Sequence, residues 1–168
     1  MTTKRKAVLV GIAGAHYAFS LSLYNLKAYV LTDPVVRRTW DLEVIQHPLI
    51  TPGTISDNLD VLIRRVVSLG PDLVALSCYM WNVVPFQQLA ESVRQALPDC
   101  RFVWGGPEMT GDDLRAGRFD AFAMDYCVLG EGEETFRELL LNLATHVPTI
   151  SDIRGLSYRA SRQTTFSV

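Results

Sequence analysis

Three segments of this chain carry residues suited to chemistry: Ser77-Cys78-Tyr79-Met80-Trp81-Asn82, Gly105-Gly106-Pro107-Glu108 and Leu129-Gly130-Glu131-Gly132-Glu133-Glu134. Each follows a short apolar run and opens onto a helix or a loop. They start at 77, 105 and 129, so the separations of 28 and 24 residues match the length of one strand-plus-helix unit. Open parallel sheets take ligands at the carboxyl ends of their strands. Hydroxyl, glycine and aromatic residues at three such ends would therefore equip one edge of a sheet for a flat ligand. Gly105-Gly106 removes two side chains where the chain leaves a strand, which admits a planar group or simply permits a tight turn into Pro107. Trp81 is expected just past the sheet edge, between the two glycine-rich ends, as a stacking surface or as a core aromatic. Asn82 suits a helix N-cap, and Ser77 can direct its hydroxyl into the same slot.

Gly130-Glu131-Gly132 precedes a helix whose first turn holds Glu133 and Glu134, carboxylates that complement the helix dipole and repel phosphate. Neither a Walker-type Lys-Ser/Thr nor a full dinucleotide fingerprint accompanies it, which disfavours an ATP or nicotinamide site. His16 falls in the loop after the first strand. As a metal ligand it would want a carboxylate or carbonyl on its second nitrogen, and no Asp or Glu occurs between Ala7 and Asp33. Ligand contact without a metal bond and a surface role stay open beside ligation. Cys78, Cys100 and Cys127 have no metal-binding spacing, and Cys78 and Cys127, in or beside strands, are expected as buried, reduced thiols.

The elements that must position these groups alternate along the chain. Apolar runs at 7–12, 73–77, 101–104 and 126–129 read as strands, and the alternating stretch 41–47 as a half-covered strand near a sheet edge. Helical spacing runs over 17–31, stopped by Asp33-Pro34, and over 83–97 and 133–145. A further helix reaches Leu69, with Ser56 or Asp57 as its cap, and 110–118 reads as a short helix or loop. Ile153–Arg159 and Thr164–Val168 alternate about a polar turn, as a β-hairpin does. This order predicts an α/β, Rossmann-like, doubly wound five-stranded parallel sheet with helices on both faces, followed by the hairpin. The division falls at 1–150 for the ligand-binding domain and 151–168 for the hairpin or linker.

With 168 residues, 48% apolar and 20% charged, the chain has the size and composition of one globular domain. A net charge of −2 supplies no basic field for nucleic acid or an anionic membrane. No segment approaches the roughly 20 apolar residues of a spanning helix, and a cytoplasmic location is expected.

Taken in order, Val74–Asn82, Phe102–Glu108 and Val128–Phe136 resemble the N-terminal cobalamin-binding domain of cobalamin-dependent radical SAM enzymes, and Ile153–Arg159 looks like the hairpin that follows that domain. The resemblance implies cobalamin as cofactor, bound base-off. Its nucleotide tail would thread between sheet and helices, and its corrin would rest on the strand ends. Ser77, Gly105, Gly106 and Pro107 would then line the tail pocket, with Gly130, Glu131 and Gly132 closing it. Trp81, with Tyr79 and beside Asn82, would lie under the corrin, and the loop from Gly14 through His16 to Ser20 would complete the wall.

Cobalamin mutases and methionine synthases carry Asp-x-His-x-x-Gly after the first strand. Here the comparable stretch is Gly14-Ala15-His16-Tyr17-Ala18-Phe19, which keeps the His without its partners and implies His-off cobalt with no protein metal ligand. The Cys-x-x-x-Cys-x-x-Cys loop of the radical SAM barrel does not occur in these residues. A 4Fe-4S cluster, S-adenosylmethionine and methyl transfer to an unactivated carbon are therefore expected only of a longer parent protein, with the barrel in cis or in trans. Rival readings are a stand-alone cobalamin carrier and a flavodoxin-like or receiver-like binding or interaction module.

Overall fold

A computed structural model describes residues 3–14, 20–48, 55–159 and 166–167. Its strands are β1 (Arg5–Ala13), β2 (Trp40–Pro48), β3 (Leu73–Ser77), β4 (Arg101–Gly105), β5 (Tyr126–Val128) and β6 (Leu156–Tyr158). The helices are α1 (Leu21–Val30), α2 (Pro34–Thr39), α3 (Ile55–Leu69), α4 (Val83–Ala96), α5 (Gly111–Arg115) and α6 (Glu133–Thr145). The sheet order is β2-β1-β3-β4-β5-β6, with the first five strands parallel and β6 antiparallel to β5. This is the expected doubly wound α/β sheet, extended by a sixth strand drawn from the tail. The order reverses between β1 and β3, where open sheets leave a crevice.

The sheet separates two apolar layers. Val8, Val10, Ile12, Val74, Leu76, Phe102 and Trp104 pack under α3, α4 and α5, through residues such as Leu62, Phe86, Leu89 and Leu114. On the opposite face Ala7, Leu9, Leu73, Ala75, Val103, Tyr126 and Val128 meet Leu23 and Val30 of α1, Val36 of α2 and Phe136, Leu139 and Leu140 of α6. Both layers come from the two-residue alternation of a strand covered on each side. β2 lies at the sheet edge, as its alternation predicts.

Two local readings change, and the expected tail hairpin is present. Asp33-Pro34 does stop α1, but it also starts α2: the Asp33 carboxylate accepts the N–H groups of Val35 and Val36 at 2.8 and 3.2 Å, with Pro34 at the first helical position. α3 begins at Ile55, so Ser56 and Asp57, expected just ahead of it, fall within its first turn. In the tail, β6 pairs with β5 in the main sheet, and Tyr158 also bridges Ser167 in the antiparallel sense.

Candidate functional site

The face covered by α1 and α6 is not uniformly filled. Leu9, Ala75, Val103 and Tyr126 pair across four strands in one row. Two residues further along each strand stand Gly11, Ser77, Gly105 and Val128. Side chains on this face therefore shrink toward the carboxyl ends, from Leu73 through Ala75 to Ser77 on β3 and from Val103 to Gly105 on β4. The other face keeps Ile12, Leu76 and Trp104 at the same levels, so volume is lost on one side alone.

A cleft of about 510 Å³ occupies the vacated space. That lies within the ~300–1,000 Å³ typical of small-molecule sites. Ala75, Ser77, Val103, Gly105 and Val128 form its sheet side; Leu23 and Leu26 of α1 and Phe136 of α6 form its helix side. Gly106, Pro107, Gly130, Glu131 and Gly132 make the lip.

The two neighbouring glycines at the end of β4 differ. A Cβ on Gly105 would sit 3.5 Å from the Val128 Cβ, an ordinary contact. Gly106 has φ +105°, and a Cβ there would stand 2.5 Å from the Cys78 carbonyl oxygen and 2.8 Å from its nitrogen. Only glycine lets these backbones approach, and the Cys78 N–H donates to the Gly105 carbonyl at 2.6 Å beside them.

The far lip hangs on the tail. The Leu129 N–H donates to the Gly155 carbonyl at 2.8 Å, and the Thr135 hydroxyl to the Arg154 carbonyl at 2.8 Å. The helix wall is held by ion pairs. Arg137 on α6 donates to Asp33 at 2.9 Å and, through Nε, to Glu134 at 2.9 Å, while the Tyr29 hydroxyl of α1 reaches Glu134 at 2.9 Å. The Arg137 guanidinium, then the Tyr29 hydroxyl, hold the Glu134 carboxyl down to about 2. At Asp33 burial pulls the carboxyl up, but the N–H groups of Val36 and Val35 and the Arg137 charge outweigh it and leave it below the usual range. Glu134 is thus spent on tying α1 to α6.

Beyond β3, Tyr79 and Trp81 stack with ring centroids 4.7 Å apart and planes 9° from parallel. Tyr79 lines the cleft; Trp81 does not. Trp81 donates through Nε1 to the Ile12 carbonyl at 3.2 Å, and an added Cβ on Gly14 would stand 3.3 Å from its ring. The expected position between the glycine-rich ends is thus corrected: Trp81 leans toward the end of β1, on the other side of β3 from β4 and β5. It remains 45% exposed, beside Met80 at 79%.

Asn82 occupies the N-cap position of α4, but its side chain makes no capping bond. It is fully buried, and its amide donates to the Ile12 carbonyl at 3.2 Å and the Ser77 carbonyl at 3.1 Å, while its Oδ1 accepts the Tyr79 N–H at 2.8 Å. Asn82 clamps the ends of β1 and β3 together under the aromatic pair. That is a support for the cleft, not a part of its lining.

Of the remaining expected residues, Ser77, Tyr79, Gly105, Gly106, Pro107, Gly130, Glu131 and Gly132 converge on the cleft. Ser20 does not: its N–H and carbonyl pair with the Gln46 side chain at 3.2 Å each, tying the start of α1 to β2. His16 lies outside the described residues. The apolar floor (Leu23, Ala75, Val103, Val128 and Phe136) was missed by sequence reasoning, although the shrinkage at alternate strand positions was the signal for it.

Burial pushes the thiols of Cys78 and Cys127 up to about 12, which holds them as thiols at neutral pH. No group of three or more His, Cys, Asp or Glu side chains able to hold a metal occurs among the described residues. Nor is any helix among them long and apolar enough to cross a membrane. The cleft is thus an apolar slot with small residues on its sheet side and Tyr79 at its edge.

Comparison with known proteins agrees with this geometry. The chain is 30% identical over 157 residues to the 2-(S-pantetheinyl)-carbapenam-3-carboxylate methyltransferase of Streptantibioticus cattleyicolor. It is 29% identical over 157 residues to the cobalamin-dependent radical SAM methyltransferase TokK of Streptomyces tokunonensis. Each alignment covers 92% of this chain and 21% of the relative, so the chain spans about a fifth of the length of the curated relatives it matches. Its fold matches that of the cobalamin-dependent S-adenosylmethionine radical enzyme OxsB with a TM-score of 0.67 at 16% identity, over 98% of this chain and 22% of that one. The B12 binding domain model matches residues 24–140, well over half of the sequence. With its doubly wound sheet and its cleft at the strand ends, the chain belongs to the B12-binding domain family.

Proposed function

We propose that this chain holds cobalamin base-off, with the nucleotide tail in the cleft between α1, α6 and β3–β5 and the corrin resting on the strand ends beside Tyr79 and Trp81. The observation that carries this reading is the cleft itself: apolar, and set at the carboxyl ends of the parallel strands β3, β4 and β5, where open sheets take their ligands. The cobalt is His-off. His16 lacks the Asp and Gly partners of the Asp-x-His-x-x-Gly loop, and Trp81, stacked on Tyr79, has no lone pair suited to cobalt.

The chain serves as the cofactor domain of a radical SAM methyltransferase that acts on an unactivated carbon. The relatives' names support that role, and the iron–sulfur cluster and S-adenosylmethionine would belong to another part of the parent protein or to a partner. Cobalamin supplies the methyl-transfer chemistry, while these residues bind it, orient it and shield its lower face. The flavodoxin-like or receiver-like alternative gives way to the family match.

Mixing the purified chain with hydroxocobalamin and recording the absorbance after desalting tests the reading. A retained corrin spectrum with the base-off signature is expected. A colourless protein fraction would overturn it.

A further inference from the structure

We propose that the cleft selects the nucleotide base of its cobamide, taking an apolar benzimidazole in preference to a purine; this rests on the cobalamin reading above. The floor is hydrocarbon. Leu23, Ala75, Val103, Val128 and Phe136 are all buried yet face the empty space, with Leu26 completing the helix side. The backbone cannot substitute for polar side chains there, because Ala75 and Val103 lie in the middle of the β1-β3-β4-β5 ladder and are committed to it.

Ser77 brings the one hydroxyl that the strands add to the sheet side, and that hydroxyl, unlike the Ser77 carbonyl, has no hydrogen-bond partner among the described residues; Ser22 of α1 and Tyr79 bring the other hydroxyls of the lining. The carboxylates of Glu131 and Glu133 stand at the lip, where Glu131 is exposed. No Lys, Arg, His, Asn or Gln lines the cleft among the described residues.

A benzimidazole linked to ribose offers one unsubstituted ring nitrogen, which a single hydroxyl satisfies, and its remaining edge is hydrocarbon. A purine of similar size carries several ring nitrogens and an amino group around that edge. Buried against Val103, Val128 and Phe136, those groups would lose water, and none of these three side chains offers a partner. Leaving such groups unpaired should weaken binding about ten- to a hundredfold.

The test compares cobalamin with its adenine-based counterpart and with cobinamide, which has no base. All are used as cob(I) species, anaerobically under titanium(III) citrate, where the base is already free of cobalt in both complete cobamides. Retention on the 168-residue chain is measured by ultrafiltration. The expected result is cobalamin bound at least tenfold more tightly than the adenine form. The near-isosteric Val103→Thr, which adds a hydroxyl to the floor, should narrow that ratio. Equal affinities for the two complete cobamides would overturn base selection while leaving cobalamin binding intact. Failure to retain any of the three would overturn both.

Discussion

Adding one carbon at Gly105 and one at Gly106 should have opposite consequences. At Gly105 the new Cβ would meet only Val128, at 3.5 Å, in a backbone conformation open to any residue. Replacing a strand glycine with alanine at such a site stabilises by about 0.4–1 kcal/mol, because the unfolded chain loses freedom. The methyl group would nevertheless project into the cleft, and Gly105→Val would fill more of it. At Gly106 the φ of +105° alone costs a side chain roughly 1–3 kcal/mol. The overlap with the Cys78 backbone, at 2.5 and 2.8 Å, adds about 1–3 kcal/mol more. Urea unfolding followed by circular dichroism should therefore show Gly105→Ala and Gly105→Val near or above the wild type, and Gly106→Ala well below it. Cobalamin retained after desalting should fall at least tenfold for Gly105→Val despite its intact fold. If that variant retains cobalamin as the wild type does, the tail does not lie in the cleft. If Gly106→Ala is as stable as the wild type, the steric reasoning itself fails.

Trp81→Ala removes a half-exposed ring and one hydrogen bond, so stability should drop by about 1 kcal/mol or little more while the visible spectrum or reduction behaviour of bound cobalamin changes; an identical spectrum would place the tryptophan away from the lower face. Asn82→Ala leaves the Ser77 carbonyl and the Tyr79 N–H without their partner and should cost roughly 2–4 kcal/mol in urea unfolding, far more than the exposed Val84→Ala. Glu134 is held at about 2 against an ordinary 4.5, a depressed carboxyl, so its contribution is complete above pH 4.5 and lost as pH falls toward 2. Unfolding midpoints measured across that window should fall less steeply for Arg137→Leu than for the wild type. All three cysteines are buried, and native protein at pH 8 should react slowly with a thiol reagent, while denatured protein should titrate three thiols at once.

The strands and most helices were legible because their apolar periods are strong and local. The five parallel strands follow from alternation with helices, since parallel neighbours need crossovers. What was misread depended on partners distant in sequence. Asp33-Pro34 looks the same whether it ends one helix or begins the next, and only the Val35 and Val36 N–H groups show that it does both. Asn82 has the composition and position of a cap, yet the Ile12 carbonyl, 70 residues away in sequence, draws its amide elsewhere. The same carbonyl pulls Trp81 toward β1. The site glycines stood out as a motif. The floor did not, because Ala75, Val103 and Val128 read as ordinary strand residues until the register sets them side by side.

The one-sided shrinkage of side chains along β3 and β4 has a thermodynamic consequence. It leaves the layer under α1 and α6 short of hydrophobic volume, so the empty protein folds around an unfinished core. A ligand in that space acts as the missing side chains, and loading and folding become linked equilibria. At a free ligand concentration a hundred times its dissociation constant, the native state gains about 2.7 kcal/mol. That gain falls first on α1 and α6, whose backbone amides should slow most in exchange when the cleft fills. The cofactor then belongs to the architecture as much as to the chemistry.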